Sequence, residues 1–200
     1  MKTLIAILAV SVATVVAAEI ESIDSEQLGK IARRILSDYG SPADVPVATD
    51  VDVEKAAGLK GGEAGLIAMP DKKLSAESLA TISDKPVTFG QLWMHKVVPA
   101  IGGSAPSAAK LRTVEVGDEH KKVEVYYLTA AKSPAGVVEL SLISAGKEPL
   151  VKVPLVKTDA AESATPFSVS AQKDGEQSGV LVLSVFGSYK ADIPLTKSAQ

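Results

Sequence analysis

The stretch "LRTVEVGDEHKKVEVYYLTAA", residues 111–131, decides how the chain is to be read. Two runs alternate apolar and polar residues, from Leu111 to Val116 and from Lys122 to Ala131, around the turn-rich cluster Gly117 to Lys121. Alternation with a period of two, interrupted by a short polar turn, predicts two strands of a hairpin. The same grammar continues to the C-terminus: "GVVELSLIS", "PLVKVPLVKT", "FSVSAQK" and "GVLVLSVFGSYKADIPL" follow, separated by "AGKE" and "DGEQS". Strands spaced by turns at roughly 8 to 12 residues predict an antiparallel sandwich of about seven strands over residues 110–200. This half has neither cysteine nor tryptophan. "Ig-like" therefore describes an architecture here and not an ancestry.

One of these strands differs from the rest. In "GVLVLSVFG", Leu181, Leu183 and Val185 alternate with Val180, Val182 and Phe186, so both faces are apolar. Two readings follow: a central strand covered on both sides, with the N-terminal helix as one cover, or a second face that meets another molecule. The interaction reading names Val180, Val182 and Phe186.

The segment before the sandwich, residues 19–105, reads as a smaller α+β unit with one amphipathic helix. From Asp24 to Tyr39, Leu28, Ile31, Ala32, Ile35, Leu36 and Tyr39 recur at helical spacing. Asp24 with Gln27 three residues on resembles a capping box, and Gly40 before Ser41-Pro42 is a stop signal. Short strands are predicted at Val47–Val53 and Leu66–Met69, a short helix over Ser75–Ile82 capped by Ser75, and a strand from Val87 to Val98. The small-residue run from Pro99 to Lys110 is the predicted boundary between the two units. The fold class expected is thus mainly β.

At the N-terminus, Lys2 precedes an apolar or small run from Leu4 to Val16, with small residues at Val16 and Ala18. That pattern predicts a secretory signal peptide, residues 1–18, cleaved after Ala18. The run is short of the roughly 20 residues a membrane span needs. A secreted protein, periplasmic or extracellular, with no membrane span after cleavage is expected. No cysteine occurs, which removes disulfides, thiol nucleophiles and a lipid-bearing cysteine. With 21 basic and 24 acidic residues, the net charge is −3 and only Arg33, Arg34 and Arg112 are arginines. Nucleic acid is not an expected partner, because phosphate binding demands clustered cations.

"GLKGGEAGLIAMP", residues 58–70, is glycine-rich ahead of an apolar run, but has neither the Walker nor the dinucleotide spacing, and Pro70 leaves no room for a phosphate-holding helix. It reads as a turn into a strand. Ser107 to Lys110 and Ser144 to Lys147 both match SxxK, the second within a predicted hairpin turn, and the companion elements of that catalytic family are absent. No enzyme activity and no cofactor is expected, a hydrolase being the least favoured reading.

Two metal alternatives arise. Asp50, Asp52 and Glu54 in "DVDVE" would share one face of a strand and could hold Ca²⁺. Met94 and His95, with His120 and Met69, offer thioether and imidazole ligands for copper, although neighbours on a strand face opposite ways. His120, in the turn Gly117–Lys122, lies between opposite charges. The leading expectation is a non-enzymatic structural or protein-interaction module that binds a protein partner or self-associates. The alternative is a small-ligand or metal-ion binding protein of the envelope.

Overall fold

The computed structural model describes residues 19–40, 42–175 and 177–198. The expected signal peptide, residues 1–18, lies outside the described residues. In chain order the elements are β1 (Glu21–Ser22), α1 (Ser25–Tyr39), β2 (Ala57–Gly61), β3 (Ala64–Pro70), α2 (Ala76–Ala80), β4 (Val87–His95), β5 (Val97–Pro99), β6 (Arg112–Val116), β7 (Lys121–Lys132), β8 (Val138–Ile143), β9 (Pro149–Pro154), β10 (Val156–Lys157), β11 (Phe167–Lys173), β12 (Ser178–Val185) and β13 (Tyr189–Lys197). The protein is mainly β, with two antiparallel sheets and one long helix near the N-terminus.

The larger sheet has eight strands in the order β1-β2-β3-β4-β7-β8-β9, with β6 also paired to β7. The smaller has five, β10-β13-β12-β11, with β5 paired to β13. Both sheets take strands from either side of the Pro99–Lys110 segment, since β4 pairs with β7 and β5 with β13.

Strand β7 is the centre of the larger sheet. Its Glu124–Ala130 span is bonded to β4 along one edge. Along the other edge, residues 121–125 bond to β6 and residues 127–132 to β8. Its alternation sends Tyr126, Leu128 and Ala130 toward the smaller sheet, where they join Leu92, Met94, Leu140, Leu142, Leu181, Leu183, Ile193 and Phe167 in the main core. Val123, Val125 and Tyr127 point the opposite way, into a second core with Ile67, Met69, Trp93 and Ile143. Two apolar faces need two covers.

The second cover is α1, whose Leu28, Ala32 and Ile35 lie buried in that core. Each such Leu or Ile contributes roughly 1.5–3 kcal/mol by leaving water. The helix begins where the sequence signals it: the Asp24 side chain accepts from the Gln27 N–H at 2.9 Å. It ends at Gly40, whose φ of 67° is a left-handed conformation that suits glycine. Val45, Val47, Val51 and Val53 extend the cover beyond the helix. They do so as irregular chain and not as the strand expected at Val47–Val53, with one bridge from Val51 to Asp71 and a single 3-10 turn at Val53–Lys55.

Polar pins hold this layer in place. Tyr39 and Tyr127 share a hydrogen bond between their hydroxyls, and Tyr39 meets Trp93 edge-on with ring centroids 5.0 Å apart. The Trp93 indole donates to Gln91 Oε1 at 2.7 Å, and Gln91 Nε2 donates to Thr49 at 2.6 Å. Asp38 accepts from the Gly117 N–H at 2.8 Å, tying the end of α1 to the β6–β7 turn.

The expectation that α1 covers the second face of β12 is corrected by this packing. The doubly apolar strand that needed the helix is β7, in the other sheet. Likewise the strand expected over Val87–Val98 is two. Lys96 adopts φ 61°, which ends β4 in the larger sheet and starts β5 in the smaller one. The chain returns to the larger sheet at β6, and a second crossing into the smaller one occurs at buried Leu155, between β9 and β10.

The β4–β7 ladder shifts register between Thr88 and Gly90. Gly90 has φ 141°, and a Cβ there would stand 2.1 Å from the Met69 carbonyl oxygen. Backbone strain and overpacking would act together, so Gly90→Ala is expected to cost at least about 3 kcal/mol in urea unfolding. Gly102→Ala, where φ is 57° but nothing lies within 4 Å, is expected to cost only about 1–2 kcal/mol.

Candidate functional site

Three features outside the cores have the geometry of a site. The first is an open cavity at one end of the sandwich, where the β2–β3 turn faces the β11–β12 turn and the end of β13. Strand alternation explains its chemistry. Inward positions on β11 run Phe167, Val169, Ala171, Lys173, and on β13 they run Ala191, Ile193, Leu195, Lys197, so each series ends in a lysine at the mouth. The facing strands present Leu59, Gly61, Ala64 and Leu66, two of them too small to fill the gap. A cavity of about 500 Å³ results, within the range of ligand sites. On its rim, Lys96 donates to Glu63 at 2.5 Å across the β2–β3 turn, and Lys96 lowers the Glu63 pKa by that hydrogen bond. The glycine-rich segment 58–70 thus forms one wall of a cavity, a role its spacing did not announce.

Beside the mouth lies the second feature, a buried carboxyl group. Glu124 sits on the inward face of β7 with 1% exposure. Oε1 accepts from Ser198 Oγ at 3.2 Å, while Oε2 has no hydrogen-bond partner, and neither has the nearby Tyr126 hydroxyl. Desolvation raises the Glu124 pKa and, with the Glu124 charge, that of Tyr126. Nothing in the alternating pattern separates Glu124 from a solvent-facing glutamate. It becomes buried only because β13 runs on to Ser198 above it.

The third feature is the free edge of the smaller sheet. The Asp174 N–H donates to Ser178 and the Phe186 N–H to the Pro166 carbonyl. Both pairs fall on the β11–β12 register, so the even-numbered residues of β11 bond to β12. The N–H and C=O groups of Phe167, Val169 and Ala171 then point away from β12, toward an edge with no further strand. Several other outer strands are shielded: β1 and β10 have two residues each, and β9 begins and ends in proline.

On the outer face of this sheet, Val180 and Val182 are half-buried beside Pro194, Ser170 and Gln172. Phe186 does not join them. The strand stops at Val185, and Phe186 turns with φ 49° to lie 8% exposed in the main core. The sequence pattern missed this because alternation holds only while the backbone stays extended.

The residues of the calcium alternative are each held by a cation. Asp50 pairs with Lys72 at 2.9 Å, Asp52 with Lys55 at 3.3 Å, and Glu54 with Arg33. Those of the copper alternative are dispersed. Met94 is buried in the main core and Met69 in the second one, on opposite faces of the larger sheet. His95 Nδ1 lies 2.7 Å from the Lys122 carbonyl oxygen, and His120 at the β6–β7 turn pairs with Glu115 at 3.4 Å. Among the described residues no cluster of three or more His, Asp or Glu is placed to share an ion. Ser107 and Lys110 flank a 3-10 turn, whereas Ser144 is buried between the Arg112 N–H and the Val125 carbonyl.

No family model, no curated protein and no solved structure matches the chain.

A carboxyl group whose pKa is higher folded than unfolded retains a proton that the unfolded chain gives up. Glu124 therefore favours the fold below the ordinary carboxylate range and disfavours it as pH rises through the raised value. Glu124→Gln removes that titration. Urea unfolding between pH 4 and pH 9 is expected to show the variant gaining on wild type as pH rises above about 4.5, with a parallel pair of curves counting against the assignment.

Proposed function

We propose that this chain is an exported, non-enzymatic structural or protein-interaction module of the cell envelope or extracellular space, an Ig-like sandwich in architecture alone. The observation that carries the reading is the open edge of β11. Outward-directed backbone groups at Phe167, Val169 and Ala171 form a template for an added strand, the mode in which main-chain bonds supply affinity and alternate side chains supply specificity. Ser168, Ser170 and Gln172 on the outer face carry no charge to repel an incoming strand. Val180 and Val182 extend that contact as an apolar strip one strand in. Either a partner protein or a second copy of the chain would meet this surface.

The edge offers a clean test, because its outward N–H groups take no part in the fold's own ladder. Proline at position 171 removes one such N–H without breaking a β11–β12 bond. Ala171→Pro is expected to keep the wild-type far-ultraviolet circular dichroism and to shift Tm by only a few degrees. Chemical crosslinking should nonetheless lose the complexes that the wild-type protein forms in envelope extracts or with itself. A wild-type protein that stays strictly monomeric at high concentration and retains no partner from those extracts would sink the proposal.

A further inference from the structure

We infer that the cavity between the sheets binds a single-chain anionic amphiphile, an elongated apolar body with one carboxylate or phosphate head. This ligand site shares the inward side chains of Ala171 and Lys173 with β11 but does not use that strand's outward backbone groups. Strand alternation ends the inward series of β13 in Lys197 and that of β11 in Lys173, both at a mouth whose deeper lining is Leu195, Leu59 and Leu66. An apolar interior with cations at its entrance is complementary to a molecule that is apolar at one end and anionic at the other. Among the described residues the single acid on the cavity wall is Glu63, which is already held by Lys96. Lys197 makes no ion pair among the described residues, so its charge is available to an incoming head group. The space of about 500 Å³ is lined by the small residues Gly61 and Ala64, and a Cβ on Gly61 would already touch Ile20 of the same lining.

A groove of similar size beside α1 supplies an internal contrast. It is floored by Ile67, Trp93 and Val123, but its rim cations Lys30, Arg34 and Lys121 are paired to Glu26, Asp38 with Asp118, and Glu119. The mouth keeps an uncommitted cation and that groove does not.

The test is calorimetric titration of the purified protein with dodecanoate, dodecyl phosphate and dodecanol, each below its aggregation threshold. One saturable site is expected for the anions, with Kd in the micromolar range, and binding at least tenfold weaker for the alcohol. The ratio between the two anions tells which head group the lysines prefer. Ala64→Trp fills the cavity and should abolish binding, while Lys197→Glu, on an exposed side chain, should weaken it about tenfold or more. Equal affinity for dodecanol, or Lys197→Glu binding as wild type, overturns the role of the lysines. Absence of any saturable binding overturns the site. Binding that survives Ala64→Trp but is lost in Ile31→Trp assigns the ligand to the α1 groove and overturns it as well. None of these results bears on the strand-addition reading, which Ala171→Pro tests by a different readout.

Discussion

The rest of the structure depends on the need to cover β7 twice. Twelve residues long and bonded along both edges, this strand carries Tyr126 and Leu128 on one face and Val125 and Tyr127 on the other, all at 0% exposure. Leaving either face in water would forfeit several kilocalories per mole of apolar burial. The smaller sheet answers one face and α1 with the Val45–Val53 segment answers the other. The result is three layers, with the helix as the outer one.

Polar groups are arranged to serve that layering. Gln91 and Thr49 satisfy the Trp93 indole, and the Tyr39–Tyr127 hydroxyl pair satisfies two phenols at the same interface. Buried donors left unpaired would each cost on the order of 1–3 kcal/mol. Against that background Glu124 and Tyr126, with atoms that find no partner, stand out as polarity retained at a cost. Glu124 lies next to the cavity, whose lining includes its partner Ser198.

Much of this was legible in the sequence where local rules decide. The Asp24 cap, the Gly40 stop and the apolar stripe of α1 needed nothing beyond the helix itself, and the Ser75 cap announced α2 in the same way. Strand alternation in residues 111–131 translated directly into β6, the turn and β7. The pattern fails where one residue's backbone redirects the chain. Lys96 and Phe186 take positive φ values that no propensity of Lys or Phe suggests, so the sequence reads one strand where there are two, and a face where there is a buried turn. It also fails for partnership across sheets. "GVLVLSVFG" is apolar on both faces in the sequence while "KVEVYYLTAA" reads as alternating, and only packing shows that the helix sits on the second. The cavity was hidden for a related reason, being assembled from residues more than a hundred positions apart.

The two crossings from the larger sheet into the smaller, at Lys96 and Leu155, carry a mechanical consequence. The polypeptide enters the smaller sheet as β5, returns to the larger one for β6 to β9, and crosses again to finish in β10 to β13. The layers are therefore laced together by covalent chain and not merely pressed together by their apolar faces. Sliding one sheet over the other would have to stretch the links at both crossings. A chain without a single cysteine obtains from this threading a resistance to shear that crosslinks would otherwise provide.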